Sequence, residues 1–243
     1  PSNTPPPDGR STASRTKGGG ALAGCDAPRG PDGARQAKGG GGRNVAVRIT
    51  TLVEDTAQGD LPGEHGLAFW IETERRRILF DTGQGQVLRR NARRLGVQLE
   101  LADAVALSHG HYDHTGGLGE VLGIARGVRV FAHPAAFSPK YARQADGTVR
   151  EIGLPLLDEQ KVRQTAELVW SQGPTEVCDG LHLTGPVPRA TDFEDTGGPF
   201  FKDRACRQVD DLPDDQAAFL ETSDGTVVLV GCAHAGVVNT LLY

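Results

Sequence analysis

The stretch "DAVALSHGHYDHTGG", residues 103–117, constrains this chain more than any other. Its first half is an almost unbroken apolar run, which reads as a buried β-strand. Its second half sets His109, His111, Asp113 and His114 within six positions, and Gly116-Gly117 then opens a helix. A fold built on it must present a short polar loop, fixed at both ends, at the end of a core strand. Three of the chain's seven histidines sit here. On such a loop His109 and His111 can face one metal ion, while Asp113 and His114 turn toward a second position beside it. Imidazole with carboxylate suits Zn²⁺, and the same donors tolerate Fe or Mn. Two ions about 3.5–4 Å apart would share a water whose pKa falls to near neutrality, giving a hydroxide nucleophile.

The surrounding sequence predicts a layered α/β domain over residues 44–243. "VAVRITTLVED", "HGLAFWIET" and "RRILFDTG" read as strands, the last ending in a turn at Asp81-Thr82-Gly83. Residues 86–96 read as a helix with apolar residues on one face and arginines on the other, stopped by Gly96. "GGLGEVLGIA" is a second helix and "GVRVFAHP" a strand. Between residues 134 and 216 turn signals dominate; "LHLTG" is the strand that stands out, and an acidic run, "DDLPDDQ", follows it. "AAFLETS" and "GTVVLVGCAH" form a hairpin around Asp224-Gly225, and "AGVVNTLLY" begins a helix. Strands alternating with helices favour a layered α/β protein over an all-β barrel.

Residues 1–43 are of a different kind. They are rich in Gly, Pro, Ser and Ala, lack aliphatic periodicity and carry about +4, leaving about −9 on the rest. Such a segment is expected to stay disordered, as either a targeting peptide or a vestigial or mistranslated extension. The acidic domain has no basic stripe for nucleic acid, which disfavours a nuclease. No apolar run approaches 18 residues, so no membrane span is expected. Cys25, Cys178, Cys206 and Cys232 form no C-x-x-C pair and are read as free thiols of a cytoplasmic protein, not as a zinc–cysteine cluster.

H-x-H-x-D-H between "ALS" and "TGG" resembles the metallo-β-lactamase superfamily, in which two αβ halves form an αβ/βα sandwich with metals at one edge. The resemblance runs from about residue 45 to the end. It implies that Asp81, in "FDTG", orients a ligand histidine from behind, and that His234, in "VGCAHAGVVNTL", joins His109 and His111 on the first metal. "LVEDT", "EHGLAFWIE", "NARRLGV", "FAHPAAF" and "GCAHAGVVNTL", in that order, are similar to a prokaryotic branch described as metal-dependent hydrolases. That branch also includes dihydropterin–ribofuranosylaminobenzene phosphate synthases. The resemblance places Glu64, His65 and His133 near the substrate pocket.

Two expectations follow. The chain has no methionine, and no Asp, Glu or His follows His234, whereas the superfamily supplies a further carboxylate and histidine. The sequence therefore reads as a C-terminally truncated sandwich, with the second metal of the two Zn²⁺ left to Asp113 and His114. His182 and Asp192 are weak substitutes. The implied activity is hydrolysis of a small molecule, with Asp113 as a proton acceptor. The alternatives are a pterin-type transferase joining an arylamine to a dihydropterin pyrophosphate, and an inactive fragment of either enzyme. Flavodiiron-type redox chemistry is disfavoured because His111 stands where those proteins carry glutamate.

Overall fold

The computed structural model describes residues 47–243. The Gly/Pro/Ser-rich extension read at 1–43 lies outside the described residues. Strands β1 (Arg48–Val53), β2 (Ala68–Glu72) and β3 (Arg77–Phe80) form an antiparallel meander. Helix α1 (Leu88–Arg94) leads to β4 (Ala104–Ala106), and α2 (Tyr112–Thr115) and α3 (Leu118–Ile124) lead to β5 (Arg129–Ala132). A small hairpin, β6 (Tyr141–Arg143) and β7 (Val149–Glu151), precedes α4 (Glu159–Thr165) and β8 (Glu167–Trp170). Then come β9 (Thr175–Cys178), β10 (Leu181–Leu183), β11 (Phe200–Phe201), β12 (Ala218–Thr222), β13 (Gly225–Leu229) and α5 (Val237–Leu242).

Among the described residues the strands form a sheet ordered β1-β2-β3-β4-β5-β8, a second ordered β13-β12-β10-β9, and a third of β11-β6-β7. The first sheet is parallel from β3 to β8. Side-chain alternation between two buried faces explains why those strands are apolar beyond their first, charged residues Arg77, Arg129 and Glu167. Leu79, Val105 and Val130 face a core shared with Leu88 and Ala92 of α1, Leu118 and Val121 of α3, and Val162 of α4. Ile78, Phe80, Ala104, Ala106 and Phe131 face a second core against Leu181, Leu183, Ala218 and Leu220 of the other sheet. Each large side chain buried there contributes roughly 1.5–3 kcal/mol. On the far face of the second sheet, Thr240 and Leu241 of α5 and the following Tyr243 line a groove with Phe219 and Val228. The layers run helix, sheet, sheet, helix, which is the αβ/βα sandwich.

Local signals explain several boundaries. Arginines crowd the last turn of α1, and Gly96, at φ 71°, takes the left-handed turn that ends it. β12 and β13 pair from Ala218↔Leu229 to Thr222↔Gly225, leaving Ser223 and Asp224 as the hairpin loop. Between residues 134 and 216 the structure has more order than the turn-rich sequence announces. Helix α4, for instance, starts at Asp158, whose side chain accepts the backbone N–H of Lys161 at 2.8 Å.

The parallel strands all end at one edge. Asp81 follows β3, His109 follows β4 and His133 follows β5, so the crevice beyond those ends collects the polar residues.

Candidate metal centre

β4 delivers His109 from a buried strand, and His111 precedes α2 in extended conformation, at φ −74° and ψ 147°. The loop between them is tight. A Cβ at Gly110 would strike the backbone of Ala136, and one at Gly116 or Gly117 would press on the carbonyls of Gln84 or Thr82. Asp113 and His114 occupy the single turn of α2. From the second sheet the chain leaves β13, turns through Ala233 in left-handed conformation (φ 52°) and brings in Cys232 and His234.

The imidazoles of His109, His111 and His234 form a triangle with ring centroids 4.6, 4.8 and 5.0 Å apart. The His114 ring centroid lies 4.3 Å from that of His109. All four are buried, as is Asp113. His234 Nδ1 is 2.7 Å from the carbonyl of Thr196. A carbonyl can only accept, so Nδ1 carries the hydrogen and Nε2 keeps its lone pair. His109 Nδ1 is 2.9 Å from Ser108 Oγ, which donates to Asp81 Oδ2 at 2.7 Å, so its Nε2 is likewise unprotonated. Nε2 of His109, His111 and His234 are buried without a hydrogen-bond partner. Orphaned polar atoms are costly in a protein interior, and three together point to an occupant that accepts lone pairs. A divalent cation fits this donor set.

Electrostatics agree with that occupant. Burial pushes His109 well below its ordinary value, His111 down to about 2, and His234 down as well, so all three stay neutral and ligand-competent. For His114 burial also opposes charge, but the adjacent Asp81 carboxylate outweighs it and raises the group well above the usual imidazole range, so an ion held by its Nε2 would have to displace a proton. His114 Nδ1 lies 2.7 Å from Asp81 Oδ2, and Asp81 Oδ1 accepts the N–H of Ser108 at 2.7 Å. His114 Nε2 then faces Asp113 Oδ2 at 3.5 Å and Cys232 Sγ at 3.1 Å.

The other residues singled out by sequence divide. His65 reaches the cluster: its Nε2 is 3.3 Å from Asp113 Oδ2 and its Nδ1 is 3.2 Å from Asp55. The Glu64 carboxylate accepts the N–H groups of Gln84 and Gln86, bracing the loop after β3. His133 Nδ1 accepts the N–H of Ala135 and so caps the short turn after β5. Neither belongs to the histidine cluster. His182 stacks on Phe219 of the second sheet, and Asp192 is exposed.

Two features escape the sequence reading. The first is the placement of Cys232, a free thiol that the fold sets beside the histidine cluster. One ligand atom each from His109, Cys232 and His234 lie within 4.8 Å of one another, and so do those of Asp113, His114 and Cys232. Cys178 and Cys206 are free thiols elsewhere. The second is the acidic run, of which Asp210, Asp214, Asp215 and Gln216 are buried. Asp214 accepts the N–H of Gly110 at 2.8 Å, Asp215 that of Ala235 at 2.7 Å, and Gln216 donates to the carbonyl of Leu107 at 2.7 Å. Three consecutive residues thus clamp both histidine-bearing loops. Lys140, itself buried, neutralises Asp214 and Asp210 at 2.8 and 3.1 Å. Burial pushes the Asp215 carboxyl up to about 6. No local pattern announces this clamp, because its partners are contributed by other strand ends.

A sandwich of two mixed layers with a histidine-rich edge defines a class, and the chain belongs to it: residues 61–238 match the model of the metallo-beta-lactamase superfamily. Among its relatives is an uncharacterised protein of Methanocaldococcus jannaschii, 34% identical over 197 residues, which span 80% of this chain and 73% of that one. A second, from the same organism, is the 7,8-dihydropterin-6-methyl-4-(beta-D-ribofuranosyl)-aminobenzene-5'-phosphate synthase, 30% identical over 79% of this chain and 70% of the relative. A crystal structure of a metal-dependent hydrolase of the beta-lactamase superfamily superposes with a TM-score of 0.65 at 32% identity, covering 81% of this chain and 70% of that one.

Proposed function

We propose that this protein is a metal-dependent hydrolase of a small molecule, with His109, His111 and His234 holding one ion and Asp113 and His114 contributing to a second. The carrying observation is the convergence of three buried, unpartnered Nε2 atoms on one space. The nitrogen and carboxylate donors suit Zn²⁺, with Fe or Mn tolerated. Bound there, such ions supply Lewis acidity that stabilises a developing oxyanion and lowers the pKa of water to near neutrality.

The chain's own residues do the rest. Asp113 Oδ2 accepts a proton from the attacking water. His65 bridges Asp113 to Asp55 and is largely solvent-exposed, so it steadies that carboxylate at the mouth of the site. Ser108 and Asp81 hold the His109 and His114 rings, and the Thr196 carbonyl holds that of His234. Phe200, with its ring 5.0 Å from His111 and 5.3 Å from His234, covers the rings on one side and limits water there.

A second reading rests on the pterin synthase relative: transfer to an arylamine with loss of pyrophosphate. One assay set separates the two. Metal-loaded protein is tested on a lactone, a thioester and a phosphodiester, and separately for pyrophosphate release from a dihydropterin pyrophosphate with and without an arylamine. Metal-dependent hydrolysis of any member of the first panel supports the hydrolase. Arylamine-dependent pyrophosphate release without hydrolysis supports the transferase. His111→Ala should lose tight metal binding while keeping its circular dichroism; full metal content in that variant would overturn the ligand assignment.

A further inference from the structure

Cys232 sits where a thiol is least expected unless it has a task. Cysteine is among the most buried residue types, yet Cys232 is exposed, at the rim of a buried histidine cluster. Its Sγ belongs to both candidate donor groups, with His109 and His234 on one side and with Asp113 and His114 on the other. Two of those partners, His109 and His234, present buried Nε2 atoms that lack any hydrogen-bond partner.

The backbone is shaped to bring it there. Gly231 packs against Ser108 so closely that a Cβ would collide with the Ser108 side chain. Ala233 holds a positive φ of 52°, an uncommon conformation for a residue with a Cβ. The Asp215 carboxylate grips the N–H of Ala235, and the Arg189 guanidinium donates to the carbonyl of His234 at 2.7 Å. This braced turn aims Cys232 and His234, two positions apart, into one space.

We infer that Cys232, as a thiolate, is a protein ligand shared between the two metal positions, and that it makes the site selective for thiophilic ions. The inference rests on the two-ion reading above. It supplies a third protein donor to the second position, beside Asp113 and His114. On loading, the S–H bond breaks, its electron pair goes to the ion and its proton leaves to solvent, so binding releases a proton. A soft sulfur ligand favours Zn²⁺, Co²⁺ or Cd²⁺ over Mn²⁺ or Mg²⁺, which imidazole and carboxylate alone would distinguish less.

The test uses the whole chain titrated with Co²⁺. The expected result is a near-ultraviolet thiolate-to-cobalt charge-transfer band that is absent in Cys232→Ser, while the visible cobalt bands of the histidine-bound ion persist. In the same variant the stoichiometry should fall toward one ion, and the preference for Zn²⁺ over Mn²⁺ should fall at least tenfold. Loading should also slow alkylation of Cys232 by iodoacetamide, read on its peptide, by at least tenfold. An unchanged charge-transfer band in Cys232→Ser, or equal alkylation with and without metal, would overturn the role of Cys232 and leave the histidine site standing. Failure of the parent protein to bind any Co²⁺ would instead overturn the two-ion reading, and this inference with it.

Discussion

Asp81 Oδ2 lies 2.7 Å from His114 Nδ1, and neither side chain meets solvent. The same carboxylate takes both the backbone N–H and the hydroxyl of Ser108, and that hydroxyl in turn meets His109. One buried anion therefore sets two imidazoles. The Asp81 backbone reaches this position at φ 59°, in the left-handed region that Asp and Asn tolerate better than other residues with a Cβ.

Asp81→Asn keeps the shape and the backbone conformation but replaces an acceptor by an NH₂ group facing hydrogen-bond donors. Metal affinity should fall by about 10–100-fold, as expected for a residue that orients a ligand from behind. Stability of the metal-free protein should drop by about 1–3 kcal/mol for the unsatisfied donors. Competition with a chelating dye and urea unfolding read the two effects; unchanged metal affinity would show that His114 needs no such support.

Lys140 is the buried counter-charge of Asp210 and Asp214. Lys140→Met should cost about 3–5 kcal/mol, because it strands two carboxylates in the interior. Adding Asp210→Asn should recover part of that loss, because one of the stranded charges is gone. Urea midpoints of the single and double variants decide; a double variant no more stable than the single one would refute the charge argument.

Two glycines, one crowded and one open, should respond in opposite directions to alanine. Gly110→Ala drives a Cβ into the backbone of Ala136 between His109 and His111, so it should destabilise by at least about 1–3 kcal/mol and weaken metal binding. Gly123 in α3 has open space around its missing Cβ and an ordinary helical backbone, so Gly123→Ala should stabilise by up to about 1 kcal/mol. Thermal melts compare the two.

Burial pushes the Cys178 thiol from 9.0 up to about 11. Because the folded value is raised, the native state favours the protonated thiol. Its contribution to stability is complete below pH 9 and is lost as pH rises toward 11. The stability difference between the parent and Cys178→Ala should therefore be flat to pH 9 and shift against the parent above it. At pH 8 the Cys178 peptide should alkylate slowly, as the thiolate is the reactive form. A rapid reaction at pH 8 would contradict its burial.

Much of the fold was legible because its signals are local. The apolar runs of β3, β4 and β5, the β12–β13 hairpin (read at Asp224-Gly225 and found one residue earlier, at Ser223-Asp224) and the Gly96 stop all follow from neighbours within a few residues. The crowding of His109, His111, Asp113 and His114 was legible for the same reason. The middle third was harder, since β6, β7, β9 and β11 are only two to four residues long and none has room to display a period.

The sequence by itself determined which strand would carry the histidine loop, which glycines would let that loop turn, and which side chains would crowd at its end. Only the tertiary structure decided that Cys232 would meet His114 from 118 positions away, that Thr196 would set the hydrogen on His234, and that a charged run would be buried as a clamp on both loops. The reason is physical. A strand's alternation or a turn's φ is written in adjacent residues, whereas a buried aspartate is tolerable only if distant N–H groups and a lysine arrive to meet it. That arrival depends on how the two sheets stack.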